Sequence, residues 1–289
     1  MDSSVRLHDI KDYPAFILGD CIEIFDRSWM SFLDDNPEVG PCGPRHLWAT
    51  DADEAFQCAV KLRKTHSESL RYLAIGLETR VATFRLCMHP GEQVEYCVDG
   101  KKYIKEGEVT SSYVDQGVWL DAYYSALILR NNEAIRELSM VPEAVIKNSY
   151  FRLDDFSLAE FNLLQGLFNA SANFQSLFES LANAIKPEEV TAEREGIFFD
   201  ILVPTAMMIG HIFGRSETGY QDAMSEALQQ HWNYYSSSDD HIRAKGGWTS
   251  LRLTAMAVLA YEHKGYLPAY KSDLEREYVP EWLVKGDFT

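Results

Sequence analysis

Tyr220-Gln-Asp-Ala-Met-Ser-Glu-Ala-Leu-Gln-Gln-His-Trp-Asn-Tyr-Tyr235 is a polar segment that ends in aromatic residues. After a polar loop comes an apolar segment that opens on two glycines, Gly246-Gly-Trp-Thr-Ser-Leu-Arg-Leu-Thr-Ala-Met-Ala-Val-Leu-Ala-Tyr261. Both segments are long enough for helices, and neither alternates apolar and polar residues as a strand does. They predict helices near residues 218–235 and 248–262, followed by an extended tail.

The first ninety residues show a similar helical spacing of apolar side chains. Residues 13–33 predict an amphipathic helix with an apolar set made of Phe16, Ile17, Ile24, Phe25, Trp29 and Phe32. The prolines and glycines of residues 37–44 predict a loop, because these residues break regular structure. A helical region then starts at Asp51 and runs to about Met88, with a break near His66.

One segment alternates apolar and polar residues as a strand does. Its apolar residues are Val94, Tyr96 and Val98, and Tyr103 and Ile104 lie beyond an Asp-Gly pair. Asp-Gly favours the tight turn that joins two antiparallel strands. The pattern predicts a β-hairpin that packs on a helix, because two strands alone are marginally stable in water.

Helical periodicity returns after the hairpin. The next helix has a stripe made of Val114, Val118, Ala122, Ala126 and Leu129. Pro142 is predicted to open another helix at its first turn. An apolar seam from Phe161 to Ile185 predicts one long helix, since only Gly166 interrupts it. The most apolar window, residues 196–213, predicts a buried helix with a kink at Pro204.

The predicted fold class is therefore mainly α, a multi-helix bundle or helical array with one small β-hairpin near residues 94–104. We expect a single all-helical domain over residues 1–289, with residues 1–90 as an alternative N-terminal helical subdomain. No fixed-period repeat supports a solenoid.

The charge balance restricts the classes of partner. The chain has 289 residues, 27 Lys and Arg against 44 Asp and Glu, and a formal net charge of −17. Nucleic-acid binding depends on Lys and Arg that displace counterions from phosphates, and an anionic membrane surface attracts the same residues. The composition therefore predicts no nucleic-acid and no membrane partner, and it suits a basic protein partner.

The lack of a signal-peptide pattern and the number and spacing of the cysteines indicate a reducing compartment. The N-terminus lacks the basic, apolar and small-residue order of a signal peptide. Asp200, Pro204 and His211 interrupt the window at 196–213, which argues against a membrane span. The cysteine count is five, an odd number without a Cys-x-x-Cys pair, which favours free thiols. We expect a cytoplasmic protein.

No motif of catalysis or cofactor binding is present in the sequence. Glycine-rich nucleotide loops, Gly-x-Ser-x-Gly, Ser-x-x-Lys and His-Glu-x-x-His are all missing. Zinc held by Cys87, His89 and Cys97 is a weaker alternative, because no fourth ligand lies nearby. His211 is expected to be a core histidine with a backbone partner. We therefore predict no catalytic, cofactor-binding or metal-binding residue.

Acidic clusters are the remaining candidates for function. Asp51, Asp53, Glu54 and the pair Asp154–Asp155 suit helix N-caps and first turns, so we interpret them as structural. Clusters in predicted links have more freedom to contact a partner. The candidate partner-binding residues are Glu188, Glu189, Glu193, Asp239, Asp240, Asp273, Glu275 and Glu277.

Spacing in the C-terminal quarter resembles the immunity protein 49 family of bacterial polymorphic toxin systems. A Gly precedes an apolar helix, and Ser-Asp-x-x-x-x-Tyr-x-Pro follows; here these residues are Gly247, Ser272, Asp273, Tyr278 and Pro280. The helical stretch 119–130 is also similar. Relatives have Asp-x-Gly after the last helix, whereas this chain has Glu262-His-Lys-Gly265.

The resemblance implies an all-helical, non-enzymatic protein that binds and neutralises a cognate secreted toxin, in contact-dependent competition or type VI secretion. The acidic composition suits a toxin with a basic substrate groove, such as a nuclease. An α-helical scaffold or regulator of another basic partner is the first alternative. A helical hydrolase with buried carboxylates is the second, and it predicts a deep pocket that holds carboxylates and His with shifted pKa values.

Overall fold

The computed structural model describes residues 15–35, 41, 47–109, 114–147 and 153–288. The described residues form two compact units, of which the first comprises residues 15–177 and the second residues 178–288. The alternative boundary near residue 90 does not coincide with this division. The predicted loop at 37–44 lies outside the described residues apart from Pro41.

The first unit contains helices and one hairpin, and its last helix continues into the second unit. Its elements are α1 (Ala15–Asp35), α2 (Leu47–Lys61), α3 (His66–Met88), β1 (Gln93–Val98), β2 (Lys101–Glu106), α4 (Gln116–Ile128), α5 (Asn132–Leu138), α6 (Glu143–Lys147), α7 (Asp155–Gly166) and α8 (Phe174–Asn183). The mainly α fold with one small hairpin is confirmed.

Helix α3 lies at the centre of this unit and packs against α2, α4, α5 and β1. It starts where the sequence predicts a break, because Thr65 and Glu68 form a reciprocal capping box at its N-terminus. Arg80 of α3 is buried and pairs with Asp53 of α2 through two hydrogen bonds. Asp53 therefore lies inside α2 and holds Arg80, rather than in the first turn that the sequence predicts.

The hairpin forms in the register that its sequence predicts. Tyr96 pairs with Tyr103, and the two rings stack on the buried face with centroids 5.5 Å apart. Asp99 and Gly100 have φ values of 49° and 74°, as a tight I′ turn requires. The hairpin packs on α3, so the expected helix support is confirmed.

Helix α1 has a different buried face from the one its sequence predicts. The buried residues are Leu18, Ile22, Phe25, Trp29 and Leu33, whereas Phe16, Ile17 and Ile24 are exposed. The predicted apolar set was therefore wrong for these three residues. They lie on the opposite side of the helix, which also carries most of its charged residues.

Helix α4 is buried on nearly every side and forms the core with α7 and α5. The Trp119 indole donates to the Leu138 carbonyl over 3.0 Å, and the Tyr123 hydroxyl donates to the Leu164 carbonyl over 2.6 Å. Asp154 caps α7 by accepting from the Ser157 amide, which confirms its structural role. Helix α6 starts directly after Pro142, as predicted.

The seam from Phe161 to Ile185 does not form one helix, so that prediction was wrong. Helix α7 ends at Gly166, and α8 starts at Phe174. Asn169 accepts hydrogen bonds from the Ser171 amide and hydroxyl, and Asn173 accepts from the Ser176 amide. These local bonds compete with helix formation and end one helix before the next begins.

The second unit is entirely helical in its described part. Its further elements are α9 (Ala192–Ile197), α10 (Val203–Phe213), α11 (Glu217–Tyr235), α12 (Asp239–Arg243), α13 (Leu251–Lys264), α14 (Asp273–Tyr278) and α15 (Glu281–Lys285). Helix α10 packs on α11 and α13, and α13 packs on α15. The predicted helices at 218–235 and 248–262 are confirmed. The predicted extended tail is wrong, because α14 and α15 occupy it.

A π-helical turn at Phe198–Leu202 joins α9 to α10 directly before Pro204. The Val203 amide bonds to the Phe198 carbonyl five residues earlier, as in a π-helix, while the kink at Pro204 stays a prediction. The continuous segment Ala192–Phe213 is long and apolar enough to cross a membrane by length and composition alone, as core helices also are. Only 33% of its most apolar window is buried, less than the sequence predicts.

Candidate partner-binding site

An aromatic cluster lies at the C-terminal end of α11, partly exposed on the surface of the second unit. The Tyr234 and His241 rings stack with centroids 4.4 Å apart, and Tyr234 meets Tyr235 edge-on at 5.0 Å. Tyr234, Tyr235 and His241 are half-buried, so each ring is fixed on one side and accessible on the other. Rigid, half-exposed tyrosines are common at protein interfaces.

The short link between α11 and α12 holds this cluster in place. His241 Nδ1 lies 2.7 Å from Ser237 Oγ and 3.1 Å from the Tyr234 carbonyl oxygen. Ser238 caps α12 by accepting from the His241 amide over 3.2 Å. Asp239 and Asp240 form the first turn of α12, where carboxylates suit the helix dipole, and both are exposed.

Helix α9 approaches the same tyrosine from another direction. Gly196 lies against Tyr234, since a Cβ built on it would be 3.4 Å from the ring. Within one turn of Gly196 are Glu193 and Glu195, both exposed. The pKa of Glu193 is lowered because its carboxylate accepts from its own amide and from Thr191. Burial, together with the charge of Asp200, raises the pKa of Tyr234.

We call this set of residues the acidic tyrosine surface; it comprises Tyr234, Tyr235, His241, Glu193, Glu195, Asp239 and Asp240. Its aromatic side chains contact one another, and its exposed carboxylates belong to the two helices, α9 and α12, that contact Tyr234. Arg194 points its guanidinium at the Phe198 ring, 5.8 Å from the centroid. The helices that carry residues of two of the three predicted acidic clusters, α9 and α12, therefore both contact Tyr234.

Gly247 fixes the inner side of the same cluster. A Cβ on this residue would come 2.4 Å from the Tyr235 ring, so only glycine lets the chain pass here. The Gly247 carbonyl lies 2.9 Å from Nε2 of His231, which is buried and packs against Tyr235 and Tyr278. His231 is therefore a buried packing residue of this cluster.

The third acidic cluster belongs to α14 and is largely structural. Ser272 caps α14, and Tyr278 is buried with its carbonyl accepting from the Ser250 amide over 2.8 Å. Glu275 is only 4% exposed, and its carboxylate accepts from the Lys271 amide. Glu275 closes the helix N-terminus, so its proposed place in a contact surface is corrected.

The other predicted contact residues differ in how much charge they present. Glu188, Glu193, Asp239, Asp240 and Asp273 are exposed, and Glu277 is half-buried. Glu189 is exposed but lies 3.3 Å from Lys186 Nζ, and Asp273 lies 3.9 Å from Arg276 Nε. The carboxylates of α9 and α12 are thus the better candidates for contact with a basic partner.

A separate cleft of about 220 Å³ lies in the first unit, between α3, β1 and α5. Arg85 pairs with Glu137 across it, with Nε and Oε1 2.6 Å apart, and Glu78 and Glu133 also line it. Burial raises the pKa of Glu78. None of the described residues that line this cleft is His, so these residues lack the carboxylate–His combination that the hydrolase alternative predicts.

The structure also shows where two further candidates from the sequence lie, namely His211 and the cysteines considered as zinc ligands. His211 is exposed in the last turn of α10, so the expectation of a core histidine was wrong. Cys87 is buried in α3, while Cys97 is exposed on β1. Within the part of the chain that the structure describes, no three His, Cys, Asp or Glu side chains are placed to hold a metal ion.

Comparison with known proteins adds one match. The family model of Immunity protein 49 matches residues 49–283, from α2 to α15. No curated protein and no solved structure matches the chain significantly. The family motif found in the sequence now has a physical basis, since Gly247 makes room for Tyr235, Ser272 caps α14, and Tyr278 packs on His231.

Proposed function

We propose, because this chain belongs to the immunity protein 49 family, that it protects its host cell by binding a cognate secreted bacterial toxin. The observation that carries the proposal is the family match, which covers residues 49–283 of 289. Neutralisation is by a direct, non-catalytic complex that covers the toxin's active site or substrate path. Such a complex requires a Kd on the order of nanomolar or below.

The surface chemistry supports binding over catalysis. The acidic tyrosine surface combines anchored aromatic rings with exposed carboxylates, a combination suited to protein recognition. Asp200, His231 and Ser250 do share one small void, but it has no room for a water molecule and hence none for a substrate.

The charge supports a basic toxin, of which a nuclease is the clearest case. A nuclease needs a positive groove for its substrate, and a chain of net charge −17 attracts that groove over long range. The proposed contacts are the exposed carboxylates of α9 and α12. We place the encounter in the cytoplasm, where a nuclease would find its substrate.

Co-expression with the toxin encoded beside this chain's gene tests the proposal. We expect cells that express both proteins to survive, and the mixture to elute as one complex in size-exclusion chromatography. Survival without a complex would indicate an enzymatic antidote. Neither survival nor a complex would instead favour a scaffold or regulator of another basic partner.

A further inference from the structure

The outward side of α1 is an apolar and acidic face that no described element of the protein covers. Phe16, Ile17, Ile24 and Met30 are 67%, 41%, 59% and 47% exposed, so four large apolar side chains of one helix face solvent. Asp20, Glu23 and Asp34 are exposed among them, together with one cation, Arg27. We call these eight residues the α1 face.

This face belongs to a helix that is held rigidly from behind. The Trp29 indole donates to Asp99 over 2.9 Å, and the Arg71 guanidinium pairs with Asp26 and Asp99, each at 2.9 Å. The Tyr72 hydroxyl also donates to Asp26. A preorganised helix loses little conformational entropy on binding, which favours affinity.

We propose that the α1 face docks a basic partner with apolar pockets, and that this partner is the toxin. The inference rests on the proposed function and adds a second toxin contact, besides the exposed carboxylates of α9 and α12. Two occupants of this face are compared, a second copy of this chain and a basic toxin, and their charges distinguish them. A second copy would bring the same three carboxylates and the same net charge of −17 against this face, and repulsion disfavours it. A basic toxin complements the carboxylates while its pockets cover Phe16 and Ile24.

The position of α1 in the chain supports this assignment. Residues 15–35 precede the family-wide match, which begins at residue 49 in α2. Helix α1 therefore lies outside the matched residues. A helix outside the matched residues, with apolar side chains turned outward, is suited to recognise one particular toxin.

Three variants test the proposal against a matched control. Phe16→Gln, Ile24→Gln and the double variant remove apolar contacts at exposed positions, where folding stability changes little. Ile104→Gln is the control, because Ile104 is 62% exposed on β2 and undergoes the same change as Ile24. The probe is the toxin domain encoded beside this chain's gene, inactivated by a substitution in its own active site.

We expect Kd to rise at least about 10-fold for each single variant and about 100-fold or more for the double variant, as for anchor residues of interfaces. The control should stay within about 3-fold of wild type. Hydrogen exchange of the wild-type protein, which needs no variant, should show protection of residues 16–34 on complex formation.

The proposal fails if the double variant binds the toxin as tightly as wild type and α1 gains no protection, although the wild-type complex forms. That result leaves the proposed function intact. A wild-type protein that binds no toxin overturns both. A wild-type dimer that the double variant converts to a monomer, with toxin binding unchanged, would assign the face to self-association and overturn this inference alone.

Discussion

At the scale of single residues, the buried pair of Arg80 and Asp53 is the most sensitive point of the first unit. The Arg80 side chain is almost inaccessible, and Asp53 satisfies two of its donors. Asp53→Ala would leave a buried guanidinium whose one remaining carboxylate neighbour among the described residues is Asp121, with Oδ2 3.8 Å away. We expect a loss of about 3 kcal/mol of unfolding free energy, measured in urea.

Asp51→Ala provides the control for that change, because Asp51 is exposed two residues earlier on the same helix. Its effect should stay within about 0.5 kcal/mol. Equal unfolding midpoints for the two variants would show that the Arg80 pair contributes nothing to folding.

Gly247 gives a second residue-scale prediction with a control next to it. Gly247→Ala would place a methyl group 2.4 Å from the Tyr235 ring, whereas the same change at Gly246 meets its nearest atom at 3.8 Å. We expect Gly247→Ala to cost about 1–3 kcal/mol and Gly246→Ala much less, by thermal and urea unfolding. A reversed order would contradict the close contact between Gly247 and the Tyr235 ring.

The sequence identified some of these residues by pattern but could not assign their roles. Gly247 and Tyr278 stand out through their spacing, yet only the structure shows that they hold Tyr235 and His231. Glu275 resembles the exposed carboxylates around it, because the sequence does not show that it faces the Lys271 amide. Arg80 has no local signal at all, since its partner lies on another helix.

At the scale of elements, Asp99 connects three of them. It lies in the hairpin turn, accepts from Trp29 of α1, pairs with Arg71 of α3, and gives its own amide to Glu78. Asp99→Asn should keep the tight turn, because Asn-Gly is also favoured there, and lose only the charge. We expect α1 amides to exchange with solvent about 10-fold faster, a loss of about 1–2 kcal/mol in local stability.

Glu95→Gln is the matched change for Asp99→Asn. Glu95 is exposed on the same hairpin and pairs with Lys102 at 3.1 Å. The Glu95→Gln change should leave the hydrogen-exchange rates of the α1 amides unchanged. Equal exchange in both variants would mean that packing of Phe25 and Trp29, rather than the charge network, holds α1.

Elements with local signals were predicted well, and elements defined by distant packing were not. The hairpin depends on alternation and on an Asp-Gly turn, and both are visible in the sequence. The gap between α7 and α8 depends on side-chain caps at Asn169 and Asn173, which an apolar seam conceals. The apolar stripe on α1 was ambiguous, because apolar residues occupy both of its sides.

At the scale of the whole molecule, the net charge of −17 should govern how fast a partner is captured. For a basic toxin we expect the association rate constant to fall at least about 10-fold between 0.05 and 0.5 M NaCl, because salt screens long-range attraction. Stopped-flow fluorescence measures it. A rate that does not depend on salt would exclude electrostatic capture.

Local variants separate the total charge from the acidic tyrosine surface. Asp239→Asn with Asp240→Asn removes two carboxylates there, and Glu133→Gln with Glu143→Gln removes two exposed or half-exposed carboxylates in the other unit. We expect the Asp239→Asn and Asp240→Asn pair to reduce the salt dependence of the association rate constant more strongly than the Glu133→Gln and Glu143→Gln pair does. Equal effects would indicate that the field of the whole chain, rather than this surface, attracts the toxin.

The fold class, the absence of recognised catalytic motifs and the family could be read from the sequence, because each depends on composition or on local spacing. The division into units of residues 15–177 and 178–288 could not, because it falls inside α8, an amphipathic helix without a break in its pattern. The convergence of α9 and α12 on Tyr234 was equally hidden, since their acidic clusters are more than forty residues apart.

The π-helical turn at Phe198–Leu202 determines how α9 is rotated about the helix axis relative to α10. It uses one more residue than an α-helical turn, and one residue corresponds to about 100° of rotation. Acidic side chains of α9 and the core-facing Met208 and Ile212 of α10 are aligned through that extra residue. An in-frame deletion of a single codon here would remove only one residue of the helix and still turn its charged end away from Tyr234.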